Sequence, residues 1–336
     1  VYDAFLLLSF GGPEGPDDVM PFLRNVTAGR GVPDARLAEV AEHYQHFGGV
    51  SPINQQCREL LDAVRVEFGA HGIDLPIYWG NRNWDPYLAD TLARMRDDGV
   101  RHALAFATSA FGSYSSCRQY LEDIVAARAK VGPGAPAIDK LRQFYDHPGF
   151  VEPHADALRA ALDTLPAGER RVVFTAHSVP LAMNRTAGPT GNRYTDQLTE
   201  LAELVAARAG VEGGHDLVWQ SRSGPPQVPW LEPDINDHLE SLAARGVANV
   251  AVSPIGFVSD HMEVRWDLDN EAAETAKRLG LGYARAATPG TDPRFVAMVR
   301  ELVTERLDPA APRRRLGTLP VWDTCADGCC ALPPRR

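Results

Sequence analysis

A chain of 336 residues, 44% hydrophobic and 23% charged, is long enough for two globular domains at roughly 100–200 residues each. Its net charge of −10 leaves no electrostatic footprint for nucleic acid, so no nucleic-acid partner is expected. No apolar run reaches the roughly 20 residues of a transmembrane segment, and five cysteines in a chain of this size do not make a disulfide scaffold. A cytoplasmic protein, a monomer or weak oligomer, is expected. The apolar start, residues 1–10, lacks the basic region and small-residue cleavage site of a signal peptide and reads as a buried first strand.

The chain alternates strands with helices. Strands are predicted over residues 4–10, 76–80, 103–108, 141–145, 171–174, 216–220, 249–254 and 283–287. Helices are predicted between them, among them 34–47, 148–163, 194–209, 234–244 and 293–307. Gly11 and Gly12 follow the first strand, a place where backbone can approach a ligand. They do not form a dinucleotide fingerprint. Gly48 and Gly49 break a helix, Ser51 caps the next and Pro52 takes its first position. Cys57 lies mid-helix and reads as a small core residue. Residues 109–120 are rich in hydroxyls and aromatics, a surface that can stack on a flat apolar ligand. His177 ends the fifth strand, where α/β sheets place their ligand sites. The stretch from Trp219 to Asp234 holds two tryptophans among several prolines and reads as a stiff, ligand-facing wall. This rhythm predicts an α/β fold of two doubly wound Rossmann-like halves with a cleft between them. The expected division is residues 1–146, residues 147–308 and a Cys-containing tail, residues 309–336.

The most informative stretch follows the seventh strand. A helix is expected to open at Ser259 and Asp260, both good N-caps. Glu263, Asp267 and Glu271 are spaced by four, so they share one helix face. Stacked carboxylates repel, and a structural helix normally avoids them. With His261 in the first turn they suggest a path for a hard or borderline divalent cation; a solvated acidic face with His261 as a cap is the plainer alternative. In the tail, Cys325, Cys329 and Cys330 put three thiols within six residues. A fourth ligand would close a tetrahedral zinc or an iron–sulfur site. Cys117 is the expected fourth, and the adjacent pair leans toward a cluster; a disordered tail with unligated thiols is the plainer alternative.

Five stretches in order resemble the ferrochelatase family, in particular its actinobacterial coproporphyrin III type: Leu7 to Pro13, Gly48 to Pro52, Ala176 to Pro180, Trp219 to Pro226 with Pro229 to Leu231, and Ser259 to Glu263. The resemblance implies a chelatase-type fold and a porphyrin substrate. The implied reaction inserts Fe(II), as substrate metal, into coproporphyrin III with release of two protons. It implies His177 and Glu263 as the catalytic and metal-handling pair, and Asp267 and Glu271 as the metal route. Ser51 and Tyr120 match porphyrin-contacting positions, and Phe10, Trp219 and Arg222 join them as substrate-binding candidates. Many relatives carry Tyr at the position of Phe10; Phe10 has no oxygen to offer a metal. Some members hold a 2Fe–2S cluster on three tail thiolates and one from the body, here Cys325, Cys329, Cys330 and Cys117. The rival readings are a protoporphyrin ferrochelatase, a chelatase of the same architecture inserting cobalt or nickel into a different tetrapyrrole, and a non-catalytic haem or metal carrier that binds porphyrin without deprotonating it.

Overall fold

In the computed structural model, which describes residues 1–332, eight strands form two four-stranded parallel sheets. The first comprises β1 (Ala4–Ser9), β2 (Ile77–Asn81), β3 (His102–Ala107) and β4 (Ala137–Lys140), in the order β2-β1-β3-β4. The second comprises β5 (Arg170–His177), β6 (His215–Gln220), β7 (Asn249–Ser253) and β8 (Gly282–Arg285), in the order β6-β5-β7-β8. In each sheet the strand order reverses beside the first strand, so a switch point lies between β1 and β3, and another between β5 and β7. Open α/β sheets bind ligands outside the carboxyl ends of the strands at such points.

The chain groups into two compact units. Unit 1 is Val1–Thr108, Tyr120–Leu141 and Val299–Ala311; unit 2 is Ser109–Gln119, Arg142–Met298 and Pro312–Arg336. The hydroxyl-rich segment Ser109–Gln119 and the Cys-bearing tail thus belong with the second sheet, and the last helix, Pro293–Leu307, passes from one unit into the other.

β1 is buried along its whole length. That explains its unbroken Ala-Phe-Leu-Leu-Leu run, since a parallel strand covered on both faces has no reason to alternate. On one face Leu6, Leu8, Ala103 and Ala105 pack with Leu92, Met95 and Ile124. Phe5 meets Phe68 edge-on at 5.3 Å, and Cys57 is buried in the same helix, Ile53–Ala70, as expected of a core residue. In unit 2, Val173, Val218, Val250 and Val252 pack with Leu239, Leu242, Val264 and Leu268. Each such aliphatic contributes about 1.5–3 kcal/mol by leaving water.

The fourth strand is displaced from its expected place. The apolar Leu141, Phe144 and Tyr145 predict a strand over residues 141–145, and all three are indeed buried. Phe144 packs edge-on against Phe150 at 5.5 Å and Phe295 at 6.1 Å. The ladder to β3 is instead made by Ala137–Lys140, a half-buried edge strand. Hydrophobicity reports burial, and an edge strand needs little of it. Among the described residues no helix is long and apolar enough to cross a membrane.

Candidate active site

His177 is the last residue of β5, and Glu263 follows the carboxyl end of β7, so the switch point of unit 2 brings them together. His177 Nε2 stands 3.4 Å from Glu263 Oε1. The other ring nitrogen, Nδ1, lies 2.5 Å from the Ser178 carbonyl, which can only accept, so Nδ1 carries a proton and Nε2 is the nitrogen presented to the carboxylate. Burial works against the imidazolium, but the charge and hydrogen bond of Glu263 outweigh it and carry the His177 pKa up to about 9. Burial likewise pushes Glu263 up, and the His177 charge overcomes that and holds the carboxyl at about 2. At neutral pH the pair is therefore imidazolium and carboxylate, sharing one proton at Nε2.

The helix bearing Glu263 differs from expectation. Ser259 and Asp260 do not cap it: the first turn is Met262–Val264, and His261 is the cap, its Nδ1 accepting from the Glu263 N–H at 3.1 Å. Asp260 is engaged elsewhere, by Arg285 and Thr288. The next stretch, Arg265–Ala272, is a wide π-type helix that returns to α geometry at Ala273–Leu279; such widenings occur frequently at functional sites. Val264, Leu268, Ala272 and Ala276 recur at every fourth position and are buried in the core of unit 2. That apolar line fixes how the helix is turned. Glu263, Asp267 and Glu271, each one residue earlier, must then form an adjacent line at the edge of the packed face, as their four-residue spacing predicted.

Asp267 feels both neighbours in that line. Burial, aided by the charges of Glu263 and Glu271, pushes its pKa up to about 7 against an opposing hydrogen bond from Ser221. The Ser221 hydroxyl donates to Asp267 Oδ2, and Gln220 Nε2 donates to the same oxygen at 3.3 Å. Ser221 adopts a left-handed backbone conformation, φ 62°, which a non-glycine residue holds only at a cost. The motif Trp219 to Arg222 marked this stretch in the sequence; the pairing of Ser221 with Asp267 had no local signal.

The other expected site residues fall as follows. Trp219 is 5% exposed in β6 and lies against Tyr194, ring centroids 6.0 Å apart, while the Tyr194 hydroxyl donates to the His177 carbonyl at 2.8 Å. It is thus a buried support behind His177. Arg222 ties its own loop together, donating to the carbonyls of Pro226 at 3.2 Å and Val228 at 3.1 Å. In unit 1, Ser51 is buried and its Oγ accepts from the Ile53 N–H at 3.4 Å; the helix begins at Ile53, one residue beyond the expected Pro52. Gly12 packs against Ser51, where a Cβ would meet Ser51 Cβ at 2.7 Å. Its lack of a side chain thus serves this chain-to-chain packing. Phe10 lies edge-on to Phe22 at 6.2 Å.

One residue of unit 1 was missed. The Arg82 guanidinium sits over the Tyr120 ring at 4.3 Å and the Phe10 ring at 5.8 Å, and its Nε pairs with Asp123 at 2.5 Å. Its side chain is 10% exposed, and Nη2 has no hydrogen-bond partner among the described residues. A buried guanidinium with an unused donor is a ready recipient for an anion. Arg82 sits in the polar-aromatic stretch Asn81 to Trp84, directly after β2.

Cys117, Cys325, Cys329 and Cys330, the expected cluster ligands, all belong to unit 2. Cys329 and Cys330 have their sulfurs 3.8 Å apart, and Cys325 hydrogen-bonds Cys117. Cys330 is pushed up to about 12, first by burial and then by neighbouring thiol charge; Cys325 is pushed up by its bond to Cys117 and by burial. The Gly188 N–H donates to Cys330 Sγ at 3.1 Å and Trp322 Nε1–H to Cys325 Sγ at 3.4 Å. Among the described residues, no group of three or more His, Cys, Asp or Glu is arranged to hold a single metal ion.

The ferrochelatase family profile matches residues 2–307. A coproporphyrin III ferrochelatase of Nocardia farcinica is 61% identical over 99% of this chain and 97% of its own length. One from Mycobacteroides abscessus is 57% identical over 96% and 93%. Among solved structures, SirB from Bacillus subtilis with Fe3+ superposes with a TM-score of 0.56 at 14% identity, covering 91% of this chain and 98% of that one. The likeness to SirB concerns the fold alone.

Proposed function

The chain belongs to the ferrochelatase family, and from that premise we propose that it inserts ferrous iron into coproporphyrin III, with His177 and Glu263 as the reacting pair. The observation that carries the assignment of the pair is the 3.4 Å approach of His177 Nε2 to Glu263 Oε1 at the switch point of the second sheet. Insertion replaces two pyrrole N–H protons by one dication, so the site must supply a base while it receives positive charge. The pair meets both needs in sequence. At rest Glu263 stabilises the His177 imidazolium. An arriving Fe(II) ion, drawn along Glu271, Asp267 and Glu263, competes for the Glu263 carboxylate. With that support withdrawn the imidazolium releases its Nε2 proton to the solvent that reaches the pair, and the freed lone pair can accept one pyrrole proton and pass it out by the same route before taking the second. Asp267, poised near 7, can carry a proton or a share of the metal charge as the ion passes.

The substrate assignment is supported by the relatives' names. Cys117, Cys325, Cys329 and Cys330 are the residues that would hold a 2Fe–2S cluster. When bound, it supplies a one-electron centre and ties the tail to the body of unit 2. The five cysteines, none in a disulfide, suit a reducing, cytoplasmic location.

The test is anaerobic Fe(II) insertion with coproporphyrin III and protoporphyrin IX in parallel, the visible spectrum of the purified protein being recorded first. Higher kcat/KM for coproporphyrin III and an iron–sulfur chromophore that disappears in Cys325→Ser are expected. Equal or faster turnover of protoporphyrin IX overturns the substrate assignment, and a colourless protein purified without air overturns the cluster.

A further inference from the structure

Glu263 lies at the start of a helix whose entry, residues 258–261, has no regular ladder to hold it. Two features of β8 supply the hold. Arg285, the last residue of that edge strand, reaches two carboxylates at once. Its Nη1 and Nη2 donate to Asp260 Oδ1 and Oδ2, both at 3.0 Å. Its Nε and Nη2 donate to Asp269 Oδ1 at 2.5 Å and Oδ2 at 2.9 Å. Thr288 Oγ1 adds a donor to Asp260 at 2.9 Å. Two residues earlier, on the same face of the strand, the Tyr283 hydroxyl donates to the Leu268 carbonyl inside the wide turn at 2.8 Å. The chain from Asp260 to Asp269 is thereby closed into a loop through one guanidinium, with Glu263 and Asp267 inside it.

The clamp also sorts charge. Five acidic residues lie between positions 260 and 271. Arg285 binds Asp260 and Asp269 with paired, charge-assisted bonds, the strongest class of side-chain hydrogen bond. Glu263 is left on His177, and Asp267 on Ser221 and Gln220. A dication entering this segment thus meets the 263–267–271 line, because the oxygens of Asp260 and Asp269 are already taken by Arg285.

We infer that Arg285 is a positioning residue for iron insertion, holding the Asp260–Asp269 segment so that Glu263 meets His177 and keeping two carboxylates out of competition for the metal. This rests on the assignment of Glu263 to the reacting pair. Arg is required over Lys, because only a planar fork can serve two carboxylates bidentately.

The test is steady-state kinetics on the purified full chain, with Fe(II) and porphyrin varied separately, for Arg285→Gln, Arg285→Lys, Asp269→Asn and Glu263→Gln. Misplacement of a reacting group by about 1 Å can cost on the order of 100-fold in rate. Arg285→Gln is expected to lose about 10–100-fold in kcat and to raise KM for Fe(II), with porphyrin KM within about twofold of wild type. Asp269→Asn, a change at the exposed end of the clamp, should show the same split at about 3–10-fold, and Arg285→Lys should recover only part of the loss. If Arg285→Gln fails to fold, Asp269→Asn decides alone. If Glu263→Gln is inactive while Asp269→Asn and Arg285→Gln keep wild-type constants, the clamp has no positioning role. If Glu263→Gln itself retains full kcat, the reading beneath the inference fails instead.

Discussion

Replacing Glu263 by Gln removes one negative charge 3.4 Å from His177 Nε2 and leaves the shape of the side chain nearly unchanged. At that distance Coulomb's law gives about one pKa unit with water-like screening and about three and a half at an effective dielectric of 20. Glu263 is 47% exposed and His177 33%, so solvent screens the pair and the low half of that range applies. The His177 pKa should therefore fall from about 9 toward its ordinary 6.5, by at least about one unit. The assay is a proton–carbon NMR titration of the imidazoles in metal-free, porphyrin-free protein, with His177→Ala to assign the resonance. Wild-type His177 titrating at or below 6.5, or a drop of less than about half a unit in the variant, would falsify the shared-proton pair. The direction is unambiguous: a raised histidine pKa means the imidazolium is favoured in the folded state, and that preference is lost as pH rises through about 9.

Two further outcomes concern stability. His147 and His154 are held at about 3, first by burial and, for His147, also by the Arg142 and Arg314 charges. The unfolded chain binds those protons near 6.5, so stability is full above that pH and falls as pH drops toward 3, by up to about 2 kcal/mol per imidazole at pH 5. His154→Leu should shrink the loss of urea stability between pH 7 and pH 5; an undiminished loss would acquit His154. Gly256 passes β5 so closely that a Cβ would lie 2.5 Å from Ala176 Cβ and 2.7 Å from its Cα. Gly256→Ala should cost about 1–3 kcal/mol by overpacking and disturb the strand that ends in His177, so its thermal midpoint and kcat are expected to drop together. A variant as stable as wild type would show that the strand can yield.

The parallel strands were legible because their cause is local. Ala4 to Ser9 are all buried, and a strand covered on both faces must be apolar throughout. β4 was not, because it is half-buried at an edge and the stronger apolar signal beside it belongs to packing of another kind. The carboxylate line was legible from its spacing, but the wide turn that carries it was not, since composition does not distinguish a π-type from an α-type turn. His261 was legible as a cap only as the plainer alternative; Asp260, the better cap by residue type, is taken by Arg285 from β8.

The sequence by itself determined the strand–helix alternation, the placing of His177 and Glu263 after strand ends, the one-faced line of acids and the family. These follow from short-range periodicity and from motifs whose residues are neighbours in the chain. Only the tertiary structure decided which acid holds a proton, which is paired and which is clamped. Those properties depend on burial and on charges brought within a few ångströms by strands far apart in sequence, and no local pattern encodes such distances.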